Sequence, residues 1–186
     1  MELMPALRIG WLNGWIFPVL LSLTDTILFR LFPRAVVARL FDRSGWSQKQ
    51  IVFTVLGKGC ASVCLLLIAL TPLKIGSPVF VIGTVVGAVG LMGLSRALFD
   101  FRNTPAGEPV TRGMYTISRH PQIVMSSLVL LGACIAIGSW AALLMWVAAR
   151  VMSHYGILAE EEVCLKQCGD SYRAYMQRVP RYLSLF

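Results

Sequence analysis

Two groups of polar residues stand out in a mostly apolar chain, and both contain side chains of the types that bind charged ligands in proteins. The first group runs from Gly107 to Gln122 and contains Arg119-His120-Pro121 directly before an apolar run. Proline fits the first turn of a helix, so His120 is expected just before a helix start, near free backbone N–H groups. Such a start favours an anionic ligand group. The alternative is an Arg and a His that only anchor the chain among lipid headgroups.

The second group follows the last apolar run and extends from Glu160 to Arg181. It opens with three adjacent carboxylates, which is unusual in a chain with nine acidic residues. Ionisable groups near a bilayer usually find partners or ligands. Gly169 predicts a helix break, and the helix after it is expected to carry Tyr172, Tyr175 and Arg178 on one face. The alternative is a solvated acidic turn followed by an aromatic and basic interfacial anchor.

The composition indicates the environment in which these two polar groups lie. The 186 residues are 56% hydrophobic and only 14% charged, with a net charge of +8, whereas a soluble domain has roughly 25% charged residues. The basic residues lie between long apolar runs rather than in one patch, which favours a membrane and excludes a nucleic-acid-binding surface. The five cysteines lack the spacing of a disulfide framework or a zinc site, and no metal is expected.

The apolar runs predict an all-α integral membrane protein of about five transmembrane helices. A span needs about 20 apolar residues, and the candidates are residues 9–31, 51–73, 78–99, 122–137 and 140–158. Gly138-Ser139 divides the last stretch into a helical hairpin, with cytoplasmic tail helices beyond it; one long tilted helix is the alternative. A single membrane domain, 1–186, suffices for this length.

The distribution of Lys and Arg predicts the orientation. With five spans, fourteen Lys and Arg lie on one side of the membrane and two on the other, with Lys58 inside a span. Cytoplasmic loops carry the excess of positive charge. We therefore expect the N-terminus outside and the C-terminus in the cytoplasm, in the inner or plasma membrane of the cell.

The two polar groups together resemble a known superfamily. The stretches GMYTISRHPQ and EEEVCLKQCGDSYRAYMQRVPRYL, on either side of an apolar hairpin, are similar to motifs of the isoprenylcysteine carboxyl methyltransferase and phospholipid methyltransferase superfamily. The resemblance covers about Val110 to Leu183 and implies an S-adenosylmethionine-dependent membrane methyltransferase. Its acceptor would be lipid-like or small and apolar, with a carboxylate, amine or thiol as nucleophile.

The resemblance also implies roles for individual residues. The cofactor-binding part would be about 107–183, and the residues lining the cofactor pocket would be Tyr115, Arg119, His120, Pro121, Gln122, Glu160 and Glu161. A carboxylate suits the ammonium of the cofactor, and an arginine suits its carboxylate. The side chains closing the pocket over the reacting group would be Tyr172, Tyr175, Arg178 and Arg181.

The chain departs from the superfamily pattern at several positions. Ile123 stands where a Tyr is usual, and Met125 stands where a Gly is usual. Two other functions therefore stay open: an NADPH-dependent sterol-reductase-like membrane enzyme, and a membrane accessory or transport protein without enzymatic activity. The sequence does not name the methyl acceptor.

Overall fold

Six α-helices account for most of the regular structure in a computed structural model that describes residues 1–105 and 107–183. The helices, with a short 3₁₀ turn at Gly113–Thr116 between the fourth and fifth, are α1 Ile16–Leu31, α2 Arg34–Leu40, α3 Gln48–Leu70, α4 Pro78–Arg102, α5 Pro121–Ala136 and α6 Trp140–Arg178. No strand forms among the described residues. The predicted all-α class is therefore confirmed.

Serine and proline residues mark the helix starts. Ser47 caps α3 in a reciprocal box with Gln50, and Ser77 caps α4 directly before Pro78. Ser139 caps α6, where its hydroxyl accepts from the backbone N–H of Ala142 at 3.2 Å. Such caps satisfy backbone N–H groups that have no partner within the helix.

Three of the helices are long and apolar enough to cross a membrane, namely α3, α4 and α6. α5 is apolar but shorter. Less than a quarter of the most apolar window of each long helix is buried within the protein, so most of these apolar side chains face outward. An outward apolar surface is expected where lipid is the solvent. The molecule is an integral membrane protein.

The helices pack mainly in two pairs, α4 with α5 and α3 with α6. Glycines permit the close approach of α4 and α5. A Cβ atom at Gly83 would collide with the Gly132 carbonyl and the Ala136 backbone. At Gly93 a Cβ would collide with the Met125 side chain. The glycines of α4 thus lie on the surface that contacts α5.

The first helix begins at Ile16 and not at Ile9, so the predicted start of the first span is wrong. The preceding segment lies across the end of α3, where Gly14 N–H donates to the Thr71 carbonyl at 2.9 Å. The Asn13 side chain donates to the Ala69 carbonyl at 3.1 Å and is 2% exposed. These donors satisfy carbonyls left free at a helix end, which a longer α1 would not do.

The residues before that segment contact the turn between α5 and α6. Glu2 N–H donates to the Gly138 carbonyl at 2.8 Å, and Trp140 N–H donates to the Glu2 carbonyl at 2.9 Å. Gly138 has a φ of 67°, a backbone conformation that glycine adopts at low cost. The apolar stretch is therefore two helices here and not one long helix.

α6 continues well beyond the apolar stretch and is interrupted at Gly169. This residue has a φ of 54°, so the helical residues 170–178 run in a different direction from residues 140–168. The predicted break is present at this position.

Replacing Gly83 with alanine should weaken the contact between α4 and α5. We expect a loss of about 1–3 kcal/mol in the free energy of unfolding, because the added methyl group overfills a close backbone contact. Gly59 is the matched control, since a Cβ there has no neighbour within 4 Å. Gly59→Ala should leave stability unchanged or raise it by up to about 1 kcal/mol. Equal unfolding profiles for the two variants in mixed detergent micelles would contradict this packing.

Candidate functional site

The loop before α5 and the segment after α6 are held together by hydrogen bonds. Arg119 N–H donates to the Pro180 carbonyl at 3.0 Å, and the Ser118 hydroxyl donates to the Arg181 carbonyl at 3.1 Å. The Tyr175 hydroxyl donates to the Tyr115 carbonyl at 2.7 Å. The two polar groups of the sequence, which lie on either side of the hairpin, therefore meet in space.

A buried carboxylate, Glu161, lies at the centre of this contact. Arg181 binds it through two nitrogens, with Nε 3.0 Å from Oε1 and Nη2 2.8 Å from Oε2. Arg119 Nη1 lies 3.1 Å and His120 Nε2 lies 3.3 Å from Oε1. Glu161 is 3% exposed. We call Glu161, Arg119, His120 and Arg181 the Glu161 cluster.

His120 directly precedes α5 and lies between two carboxylates. Its Nδ1 is 3.3 Å from Glu160 Oε2, and its Nε2 faces Glu161. Burial opposes the charged form of His120, but the hydrogen bonds and charges of Glu160 and Glu161 outweigh it and raise its pKa. Burial likewise opposes the charge of Glu161, yet His120 and the two arginines lower its pKa to about 2. Glu161 is therefore ionised at neutral pH, and its neighbours favour the charged form of His120.

The cluster leaves hydrogen-bond donors unused. The Arg119 side chain is 9% exposed, and its Nε and Nη1 have no hydrogen-bond partner among the described residues. Nη1 is close to Glu161 but poorly aligned with it, so that contact is an ion pair without a hydrogen bond. Gln122 Nε2, in the first turn of α5, is also buried without a partner there. Buried donors of this kind are costly unless a ligand or water pairs with them.

The two glutamates of the predicted pocket differ in availability. The Glu160 side chain is 43% exposed and contacts only His120 among the ion pairs of the described residues. Glu161 is instead committed to protein cations. Of these two carboxylates, Glu160 is the one that a ligand can reach.

The predicted aromatic residues are buried beside the cluster. Tyr172 and Tyr175 are 5% and 2% exposed, with ring centroids 5.7 Å apart. Burial, as the main cause, raises the pKa of both hydroxyls and that of Tyr115. These tyrosines are therefore neutral at pH 7 and can act as hydrogen-bond donors.

Arg178 lies apart from these tyrosines. Its side chain is exposed, and its Nε donates to the Ala174 carbonyl of its own helix at 3.3 Å. A catalytic role for Arg178, and for Tyr172 and Tyr175, stays a prediction. Pro121 is the first residue of α5 and is fully buried, so its contribution is to fix the helix start.

Sequence reasoning placed Arg181 at the closure of the pocket but did not identify Glu161 as its partner. It also counted Arg150 only among the basic residues of one side of the membrane and gave it no role in a site, although Arg150 lies within the predicted span 140–158. The available signal was the charge itself, because a cation inside a membrane helix usually has a function.

The stability of the protein should be greatest in a window of mildly acidic pH. The stabilisation from Glu161, whose pKa falls from 4.5 to about 2, is complete above about pH 4.5 and disappears as the pH falls towards 2. The stabilisation from His120, whose pKa is raised above 6.5, is complete below about pH 6.5 and disappears as the pH rises past the raised value. Melting temperatures in detergent from roughly pH 3 to pH 9 would check this dependence.

Glu161→Gln should flatten this profile at both ends, because it removes one titrating group and a charged partner of the other. Glu162→Gln is the control: Glu162 is exposed and contacts Gln50 rather than the Glu161 cluster. A Glu161→Gln profile as strongly curved as that of the control would contradict the assignment.

A comparison with protein-family models identifies the family of the chain. The phospholipid methyltransferase model matches residues 71–170, which is more than half of the 186 residues. The match includes His120, Glu160 and Glu161 and ends before Tyr172. No curated protein and no solved structure matches the chain significantly. The family match confirms the resemblance seen in the sequence: the chain belongs to the phospholipid methyltransferase family of integral membrane proteins.

Proposed function

We propose that this protein transfers a methyl group from S-adenosylmethionine to a lipid-like or small apolar acceptor at the cytoplasmic face of the membrane. The observation that carries the proposal is the Glu161 cluster, which joins both motifs and leaves buried donors of Arg119 without a partner. Membership of the family supports methyl transfer in general.

The charges of the site suit the amino acid part of this cofactor. Arg119 and Arg181 balance the two carboxylates, and the glutamates raise the pKa of His120 and so favour a further positive charge at the site, which suits an added anion. A carboxylate of the cofactor would pair with Arg119 and with the first N–H groups of α5, which have no partner within the helix. Its ammonium group would pair with Glu160, the more exposed glutamate. Gln122 supplies a further donor.

The bound cofactor supplies an electrophilic methyl group on a sulfonium, and the protein contributes alignment. In-line displacement depends on holding the nucleophile, the methyl carbon and the sulfur close together on one line. Glu161 fixes the positions of Arg119 and His120, while the buried rings of Tyr172 and Tyr175 exclude water from the neighbouring wall. A carboxylate or thiolate acceptor needs no base, whereas an ammonium acceptor must first lose a proton.

Cofactor binding can be measured through thermal stability, because a ligand that binds only the folded state raises the melting temperature. S-adenosylhomocysteine should stabilise the purified protein in detergent, and NADPH should not. Glu160→Gln should weaken the affinity about 10- to 100-fold through loss of a charge-assisted hydrogen bond.

Glu162→Gln is the matched control, since it removes an equal charge two residues away and outside the cluster. Stabilisation by NADPH, or by neither compound, would refute the proposal. Equal affinities of Glu160→Gln and Glu162→Gln for S-adenosylhomocysteine would refute the role of Glu160 and leave the proposed function standing.

We further propose that the end of the molecule that holds the site faces the cytoplasm. The last turns of α1 and α4 and the loop before α5 lie at this end, and they carry Arg30, Arg102 and Arg119. Positive charge of this kind is retained on the cytoplasmic side.

A reporter fused to the C-terminus should therefore be active in the cytoplasm. A reporter inserted near Gly76, in the turn between α3 and α4, should be active only outside. A cytoplasmic signal from the Gly76 insertion would contradict the proposed orientation.

A further inference from the structure

An apolar cavity of about 250 Å³ lies between α5 and α6. On α5 its walls include Ile123 and Leu128, and on α6 they include Trp146 and Ile157. Because each of these two helices packs mainly against a different partner, the space between them is not filled by side chains. The volume is just below the roughly 300–1,000 Å³ of pockets for drug-sized ligands, which favours a single hydrocarbon chain.

Arg150 carries the only charge among the described residues that line this cavity. It follows Trp146 by one helical turn, so both side chains lie on the same face of α6. Its Nε is buried and has no hydrogen-bond partner among the described residues. A cation inside a membrane span is costly unless an anion or a polar group accompanies it. The cavity therefore combines an apolar wall with an unsatisfied positive charge.

The cavity adjoins the Glu161 cluster through neighbouring residues of the chain. Arg181 binds Glu161, and the next residue, Tyr182, lines the cavity. His120 belongs to the cluster, and Ile123, three residues further along the chain, also lines the cavity. The same two segments thus form both the cluster and the wall of the cavity.

We propose that this cavity binds an acidic amphiphile, with its hydrocarbon chain against the apolar wall and its carboxylate or phosphate on Arg150. The guanidinium presents several N–H donors in a fixed plane that matches either acid group. Where the proposed methyl transfer holds, this amphiphile is the methyl acceptor: its carboxylate oxygen, or an amine on its phosphate head group, forms the bond to the methyl carbon while the carbon–sulfonium bond breaks and S-adenosylhomocysteine leaves. Arg150 then selects acidic acceptors over neutral ones of equal length. Selectivity follows because a neutral head leaves the buried charge unpaired.

Trp146 provides a readout that needs neither cofactor nor turnover. Its ring lines the cavity and is held by a hydrogen bond from Nε1 to the Ser127 carbonyl at 3.0 Å. Bromine atoms on a bound hydrocarbon chain should quench its fluorescence. The probes are a chain-brominated fatty acid, a chain-brominated phosphatidic acid, and the fatty alcohol and diacylglycerol with the same chains, each added to the full-length protein in neutral detergent.

We expect at least one acid to bind about tenfold or more tightly than its neutral counterpart. The comparison of the fatty acid with the phosphatidic acid distinguishes a carboxylate ligand from a phosphate ligand. Trp146→Phe should abolish the saturable part of the quenching, which assigns the signal to the cavity. Equal binding of acids and neutral analogues would overturn the proposal, since the cavity would then be only a site for hydrocarbon.

Arg150→Met should remove the preference for acids and keep the weaker binding of neutral chains. Arg150→Lys should keep part of the preference. Arg30→Met is the matched control, because Arg30 is exposed at the end of α1 and lies outside the cavity. A preference that persists in Arg150→Met would overturn the proposal. If that variant does not fold, the comparison of acid and neutral probes on the wild-type protein decides the question by itself.

The quenching experiment tests the cavity independently of the experiment that tests the proposed function. Acid-selective quenching without stabilisation by S-adenosylhomocysteine would support the cavity and refute the methyltransferase. Stabilisation without acid-selective quenching would support the methyltransferase and refute the cavity.

Discussion

The ion cluster around Glu161 is the interaction on which the end of the molecule that holds the candidate site depends. A carboxylate that is 3% exposed is stable only with partners, and its partners come from the start of α5 and from the segment after α6. The backbones of the two segments are also joined, since the Arg119 N–H donates to the Pro180 carbonyl. The site and the local fold are therefore one structure, and a change in Glu161 affects both the charge of the site and the positions of its walls.

The two-pair packing of the helices explains where a ligand has room. Glycines bring the backbones of α4 and α5 into direct contact. α6 packs on α3 instead, so α5 and α6 share a turn at Gly138 but separate along their length. Close packing on one side of α5 thus leaves a cavity on its other side. A membrane protein tolerates such a cavity because lipid chains, unlike water, are compatible with its apolar walls.

Much of the fold was predictable from particular residues, and part of the site was not. The long apolar runs predicted α3 and α4, and Gly138-Ser139 predicted the division between α5 and α6. The start of α1 was missed because Asn13 contacts Ala69, a partner 56 residues away that no local pattern reveals. The motifs predicted that the residues before α5 and after α6 belong to one site. They did not predict that Arg181 binds Glu161 while Glu160 remains accessible, because that pairing depends on contacts between distant parts of the chain.

The contact between Glu2 and the turn at Gly138 has a consequence for biosynthesis. These residues are separated by almost three-quarters of the chain, yet their backbones form hydrogen bonds on both sides of the turn. A ribosome delivers residues in order, so the first segment emerges long before its partner exists and has to wait with its polar backbone groups in water or among headgroups. This contact can therefore form only after α3, α4 and α5 have been synthesised. Contacts between distant residues slow folding, and here this effect concerns only a short segment that docks on helices already present.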